Sequence, residues 1–102
     1  MTTEFLMEIG YLFRTGEKGK RIVGGADPKY PVEDLSWLDF TDKDIMIRTK
    51  SNDLLFKVKK IDIFPAISGK LNIGLTLYDD EQFNFLNIGD KVYKVVMVDS
   101  IE

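Results

Sequence analysis

The sequence predicts an all-β domain, a small antiparallel β-barrel of about six strands within a range of five to seven. Apolar residues alternate with polar ones in several short segments, as in strands with one buried face. Glycine, proline and short polar residues separate these segments in long irregular connections, and no segment has a clear helical pattern. We expect closure because a flat sheet of this size would leave an apolar face and two edges unprotected.

The first predicted strand runs from Phe5 to Phe13. A helix is less favourable there, because Gly10 in its interior would cost about 1 kcal/mol. A charged loop from Arg14 to Lys20 follows, and Arg21 to Val23 is predicted as a short strand. The inward face of the first strand is predicted from the spacing of two to carry Phe5, Met7, Ile9, Tyr11 and Phe13.

Gly24 to Phe40 is predicted to be a long irregular connection, because Pro28 and Pro31 lack an N–H and favour extended predecessors. Connections of this length are uncommon in compact domains, so a functional role is one interpretation. The other is that its apolar residues close one end of the core, with a single helical turn near Val32 to Leu38. Those apolar residues are Val32, Leu35, Trp37, Leu38 and Phe40.

The middle of the chain predicts a hairpin, with strands from Asp44 to Thr49 and from Leu54 to Phe64. In the second strand the apolar phase slips by one residue at Lys59 and Lys60. Such a slip would turn every later side chain to the wrong face unless a β-bulge absorbs it, so we predict a bulge there.

The last third of the chain predicts two more strands. Leu71 to Leu77 alternates clearly, and Lys91 to Asp99 is apolar enough to lie centrally in the sheet. Asp79 to Gly89 is a polar connection, and Gly89 is expected at positive φ in a turn before the final strand. Three apolar residues of this connection are expected to fold onto the core, namely Phe83, Phe85 and Leu86.

Composition excludes several chemistries. The 102 residues include no cysteine and no histidine, so thiolate or imidazole nucleophiles, bases and metal ligands are absent. We therefore expect one domain over residues 1–102 that is not an enzyme and has no cofactor or metal. The start of the chain lacks a basic segment before its apolar residues, and no apolar stretch approaches the roughly 20 residues of a membrane span. These features predict a cytoplasmic protein without a membrane partner.

Two segments differ in spacing from the known ligand-binding loops that they superficially resemble. Gly16 to Lys20 lacks the spacing of a phosphate loop, because two residues rather than four separate its glycines and Arg21 follows the lysine. Asp79, Asp80 and Glu81 do not match the alternating ligands of a calcium loop. Both segments are interpreted as solvated loops.

Charge constrains the partner. The formal net charge is −3, which disfavours nucleic acid because phosphate neutralisation dominates that affinity. Nucleic acid stays an alternative because of two basic clusters, and another protein is the expected partner. The clusters are Arg14, Lys18, Lys20 and Arg21, and Lys57, Lys59 and Lys60.

The order of the segments resembles the C-terminal β-barrel domain of elongation factor Tu. The resemblance lies in the strand from Phe5 to Phe13, the loop from Glu17 to Arg21, the segment from Gly24 to Pro31, and the turn from Asn87 to Asp90. It implies a stand-alone, non-catalytic barrel that binds another macromolecule through the surface from Gly16 to Pro31. The binding residues predicted on that surface are Lys18, Lys20, Arg21, Lys29 and Tyr30.

A second hypothesis is a small acidic inhibitor, antitoxin or immunity-type protein that binds a basic partner. Its binding surface would be formed by Asp79, Asp80 and Glu81 together with the acidic segment from Asp99 to Glu102. Complementary charge would speed the encounter and select the partner under either hypothesis.

Overall fold

The computed structural model describes residues 2–14, 20–65, 70–78 and 80–97. Within these ranges the chain forms one seven-stranded antiparallel sheet, and a short 3-10 helix, Glu81–Phe85, lies between the last two strands. The strands are β1 (Thr2–Glu8), β2 (Tyr11–Phe13), β3 (Arg21–Gly25), β4 (Asp44–Arg48), β5 (Asp53–Pro65), β6 (Leu71–Leu77) and β7 (Lys91–Met97). Their order across the sheet is β1-β7-β4-β5-β6-β3-β2.

The all-β prediction is confirmed, and the seven strands lie within the predicted range of five to seven. The sheet is not closed into a barrel as predicted, since β1 and β2 are its two ends. The strand beyond the expected six arises in the segment predicted as one strand. The chain is interrupted at Ile9 and Gly10, so that β1 pairs with β7 while β2 pairs with β3.

The predicted inward face of that segment is wrong beyond its middle. Leu6 is fully buried beside Met7, because the register between β1 and β7 shifts between Phe5 and Met7. After the break the outward face carries Tyr11 and Phe13, which are 66% and 46% exposed. Met7 and Ile9 are buried as predicted, and the break at Gly10 then reverses the alternation, so the period of two extended past Gly10 assigns the last two aromatic residues to the wrong side.

The central hairpin and its bulge are confirmed. β4 pairs with the first half of β5, and the backbone N–H of Thr49 donates to Asn52 O at 2.8 Å in the connecting turn. The register between β5 and β6 shifts between Val58 and Lys60, where the sequence predicts the bulge. The bulge lies where β5 changes partner from β4 to β6, and bulges bend strands at such points.

The core lies on one side of the curved sheet and is covered by both long connections. Phe83 and Leu86 are fully buried as predicted, whereas Phe85 is 67% exposed and contradicts its prediction. The first connection contributes Tyr30 and Phe40 to the core and packs Trp37 and Leu38 against it. Val32 and Leu35 are exposed instead of buried. In place of a helical turn over Val32 to Leu38, the backbone forms a turn in which Leu38 N donates to Leu35 O at 3.0 Å.

The turn before the last strand has the predicted geometry. Gly89 has φ of 97°, and the N–H of Asp90 donates to Asn87 O at 3.1 Å. This is the hydrogen bond and the positive φ expected of a type II turn. β7 then runs between β1 and β4, the central position that its apolar composition predicts.

Candidate binding surface

The structure separates the residues predicted to bind the partner. Lys18 lies outside the described residues. Lys20 and Arg21 stand at the start of β3, and Lys29 and Tyr30 follow its other end. A strand rises roughly 3.3 Å per residue, so the two pairs are on the order of 16 Å apart along the strand and do not form one site.

Lys20 lies against the segment that carries the predicted acidic surface. Its Nζ donates to the backbone oxygen of Asp80 at 3.0 Å and lies 6.0 Å from the centre of the Phe83 ring. The Asp80 carboxylate caps the 3-10 helix by accepting from Gln82 N at 2.8 Å, and Glu81 is exposed. Asp79 lies outside the described residues. The basic and acidic surfaces predicted as alternatives therefore adjoin at this point.

Arg21 occupies a slot between two aromatic rings on the outer face of the sheet. Its guanidinium carbon lies 5.4 Å from the centre of the Phe13 ring and 5.3 Å from that of Phe64. Phe13 is the cross-strand neighbour of Arg21, and Phe64 reaches it from β5 across β6. A Cβ on Gly74, beneath them, would be 2.8 Å from Phe64 Cε2 and 3.4 Å from Arg21 Nε, so glycine leaves the room in which the ring and the guanidinium lie.

Three aromatic side chains and this arginine form one exposed surface. Tyr11 stacks on Phe13 with ring centres 6.4 Å apart, and Phe64 is 38% exposed on the other side of Arg21. We call Tyr11, Phe13, Arg21 and Phe64 the aromatic–arginine patch. Single exposed apolar residues are ordinary on a protein surface, but adjacent exposed rings around a cation are typical of a binding surface.

The guanidinium of Arg21 makes no hydrogen bond or ion pair within the part of the chain that the structure describes. Its Nε is buried without a hydrogen-bond partner, while the residue as a whole is half-buried. Neighbouring cations are engaged: Lys60 Nζ lies 3.7 Å from the Asp62 carboxylate, and Arg14 donates to backbone oxygens at the end of the core. A buried polar atom without a partner carries a desolvation cost, so Arg21 requires an explanation that the other cations do not.

Tyr30, which follows the other end of β3, has a hydrogen-bond partner for its hydroxyl within the chain. Its hydroxyl donates to Glu4 Oε1 at 2.7 Å, and Lys29 Nζ lies 3.8 Å from the same carboxylate oxygen. Burial, together with the hydrogen bond to Glu4, raises the pKa of Tyr30 well above its usual range. The ring lines a cleft of about 360 Å³ whose other walls include Pro28 and Leu71. Through these contacts, Tyr30 holds the long connection from Gly24 to Phe40 against β1.

Lys94 of β7 fixes the same connection from the other side. Its Nζ donates to Trp37 O at 2.7 Å and to Asp39 Oδ1 at 3.2 Å. The ammonium also lies 5.9 Å from the centre of the Tyr30 ring, which stacks on Trp37 at 4.5 Å. We call Tyr30, Trp37, Asp39 and Lys94, with Glu4, the Tyr30–Lys94 cluster.

A second cleft, of about 540 Å³, separates the β4–β5 hairpin from the turn at Gly89. Two of its cations are paired with acids: Arg48 donates to both carboxylate oxygens of Asp53, and Lys91 Nζ lies 3.3 Å from Glu8 Oε1. The hydrogen bond from Arg48 lowers the pKa of the Asp53 carboxyl. The guanidinium in this cleft, that of Arg48, is hydrogen-bonded to a carboxylate, unlike the guanidinium of Arg21.

Within the described ranges, no three carboxylates are grouped so that they could hold a metal ion. In those same ranges, no helix has the length and apolar character needed to cross a bilayer.

Sequence reasoning identified Arg21 as a binding residue but missed its aromatic neighbours. Tyr11 and Phe13 were assigned to the core face, and Phe64 only to the end of a strand. A signal was present in Gly10, which permits a break, and in Gly74, which interrupts an otherwise bulky strand and often marks a close approach. The pairing that brings Phe64 across β6 has no local signature.

Comparison of the chain with family models, curated proteins and solved structures finds no match. The resemblance to the elongation factor Tu domain therefore stays a prediction from the sequence.

Proposed function

We propose that this chain is a non-catalytic domain that binds a protein partner through the aromatic–arginine patch, similar in role to a translation-factor accessory domain. The observation that carries the proposal is the unpartnered guanidinium of Arg21 between two exposed rings. Tyrosine, phenylalanine and arginine are enriched in protein–protein interfaces, where truncating a few such residues removes most of the affinity.

A protein partner agrees better with the local charges than nucleic acid does. Binding to nucleic acid depends on several cations that neutralise phosphates. Around the patch, Lys60 lies beside Asp62 and Lys20 donates to Asp80 O. With a net charge of −3 for the chain, this surface is poorly suited to a polyanion.

A nearly closed barrel, as in the elongation factor Tu domain, is part of the same proposal. It is supported by contacts that join the sheet near its two ends: Met7 of β1 forms an isolated bridge with Ala26 after β3, and Asp27 N donates to Leu6 O at 2.8 Å. A cytoplasmic location and the absence of a cofactor belong to the proposal on the sequence arguments alone.

The acidic-inhibitor hypothesis has less support. The Asp80 carboxylate accepts hydrogen bonds from Gln82 N and Gln82 Nε2, so it is committed to capping the 3-10 helix. Glu81 is exposed and available to a basic partner. Among the described residues of this segment, one free carboxylate is a smaller binding feature than three aromatic rings around an arginine without a hydrogen-bond partner. Asp79 and the segment from Asp99 to Glu102 lie outside the described residues.

The test is capture of partners from a lysate of the source cells by the immobilised wild-type chain and by two variants. In the first variant, Phe13→Ala and Phe64→Ala are combined to remove both walls of the slot. The matched control is Phe85→Ala, which removes a phenylalanine that is 67% exposed on the 3-10 helix and is not one of the patch residues. Bound proteins are identified by mass spectrometry, with and without nuclease treatment, after circular dichroism shows that each variant is folded.

A protein that binds the wild type and the Phe85→Ala chain, but not the double variant, is the expected result. Equal capture by all three chains would remove the patch from consideration. Loss of capture after nuclease treatment would favour nucleic acid. A further variant, Glu81→Gln, tests the inhibitor hypothesis, which would be favoured if this change alone abolished capture.

A further inference from the structure

Arg21 is held ready for an anion that the described part of the chain does not supply. The Phe13 and Phe64 rings restrict its guanidinium from both sides, and Gly74 closes the slot from below. An arginine ordered before binding loses less side-chain entropy when it forms hydrogen bonds. Its planar pair of Nη donors matches the two oxygens of a carboxylate.

The surroundings select a single carboxylate over a chain of phosphates. Arg21 is the unpartnered cation of this patch, since Lys60 lies beside Asp62 at 3.7 Å. The Asp62 carboxylate, with its side chain 27% exposed on β5, would repel a second negative charge nearby. Apolar rings flank the guanidinium, which suits apolar side chains on either side of one acidic residue.

We propose that Arg21 receives an aspartate or glutamate side chain from an acidic segment of the protein partner, whose neighbouring apolar side chains pack on Tyr11, Phe13 and Phe64. This inference rests on the proposed function and specifies the chemistry of the partner at the same surface. The bound carboxylate would meet the two Nη atoms in a bidentate pair, which adds geometric specificity to charge.

The first test uses nuclear magnetic resonance with defined probes. The Nε–Hε signal of Arg21 and the amide signals of β2 and β3 are followed while a glutamate–tyrosine copolymer is added to the isotope-labelled chain. The glutamine–tyrosine copolymer of equal length controls for charge, and oligothymidylate tests the polyanion alternative. We expect the glutamate polymer to shift these signals, and Arg21→Gln to weaken its binding at least about tenfold. Phe85→Ala should leave the affinity unchanged.

Several results would overturn the inference. These are an unmoved Arg21 signal, equal binding of the glutamine polymer, equal affinity in Arg21→Gln, and tighter binding of oligothymidylate.

The captured partner separates this inference from the proposed function. If the double variant of Phe13 and Phe64 loses the partner while Arg21→Gln keeps it at full affinity, the patch binds but the carboxylate pairing is wrong. If both chains keep the partner, the proposed function fails as well. If Arg21→Gln loses it and Arg21→Lys restores little, a bidentate pairing is supported, because a lysine cannot reproduce the planar pair of donors.

Discussion

Two regions of this sheet combine cations with aromatic rings, and they differ in how their polar atoms are satisfied. In the Tyr30–Lys94 cluster, the tyrosine hydroxyl, the indole N–H of Trp37 and the lysine ammonium each donate to an oxygen of the chain. In the aromatic–arginine patch, the guanidinium has ring contacts only. A cation beside aromatic rings is thus hydrogen-bonded within the chain in one region and lacks such a bond among the described residues in the other.

The largest expected difference concerns the two tyrosines. Tyr30→Ala should reduce the free energy of unfolding by about 3–5 kcal/mol, because it removes a buried ring that stacks on Trp37. Tyr11→Ala should cost only about 0.5 kcal/mol, since that ring is 66% exposed. Urea denaturation of both variants measures the difference. Similar losses would mean that the patch is also part of the folding core.

A second contrast concerns the two cations. Lys94→Met should lower stability by about 1.5–3 kcal/mol, because hydrogen bonds from an ammonium to Trp37 O and Asp39 are lost. Arg21→Met should cost less than about 1 kcal/mol, since only contacts with the rings change. The two proteins are compared by denaturation in the same buffer. A larger cost at Arg21 than at Lys94 would contradict the distinction between the two regions.

The floor of the patch gives a third prediction. Gly74→Ala would place a methyl group 2.8 Å from Phe64 Cε2, and the expected cost of this overpacking is about 1–3 kcal/mol. The ring should move away from Arg21, so the Arg21 Nε–Hε resonance should shift before any partner is added. Gly25→Ala on the neighbouring strand is the control, because its added Cβ would have ordinary contacts. An unchanged resonance in Gly74→Ala would mean that glycine is not needed for the slot.

The last prediction concerns the hydroxyl of Tyr30. At neutral pH, Tyr30→Phe should cost about 1 kcal/mol by removing one hydrogen bond. At alkaline pH, the difference in stability between the wild type and Tyr30→Phe should become smaller. The pKa of Tyr30 is raised in the folded protein, so its stabilising contribution is complete below the unfolded value of about 10 and is lost as pH rises above it. Wild-type stability should therefore decline more steeply than that of Tyr30→Phe between about pH 10 and 11.5. Urea denaturation of both proteins at several pH values in this range measures the decline. An equal decline in the two free energies of unfolding would contradict the raised pKa.

The strands with regular alternation were predictable, and those shaped by irregular pairing were not. Leu71 to Leu77 and the bulge after Val58 follow from side-chain period alone. The face on which Tyr11 and Phe13 lie could not be derived from the sequence. The register shift near Leu6 and the break at Gly10 do not change the spacing of the apolar residues, so the period of two does not reveal them.

The candidate patch was predictable only at one residue. Arg21 stood out as a basic residue after a glycine-bearing loop. Phe64 is 43 positions away (64 − 21) and reaches it through the pairing of β5 with β6 and of β6 with β3. The missing hydrogen-bond partner of Arg21 Nε is a property of the assembled sheet and has no counterpart in the sequence.

The central position of β7 also affects how the chain can be made. Thr2 of the first strand pairs with Met97 of the last, and β4 also pairs with β7 as its second neighbour in the sheet. During synthesis, the edges of β1 and β4 that pair with β7 therefore stay open until β7 has left the ribosome. Pairing over such sequence distances is slow to form, and unpaired edges in this interval are the points at which the nascent protein is most exposed to aggregation.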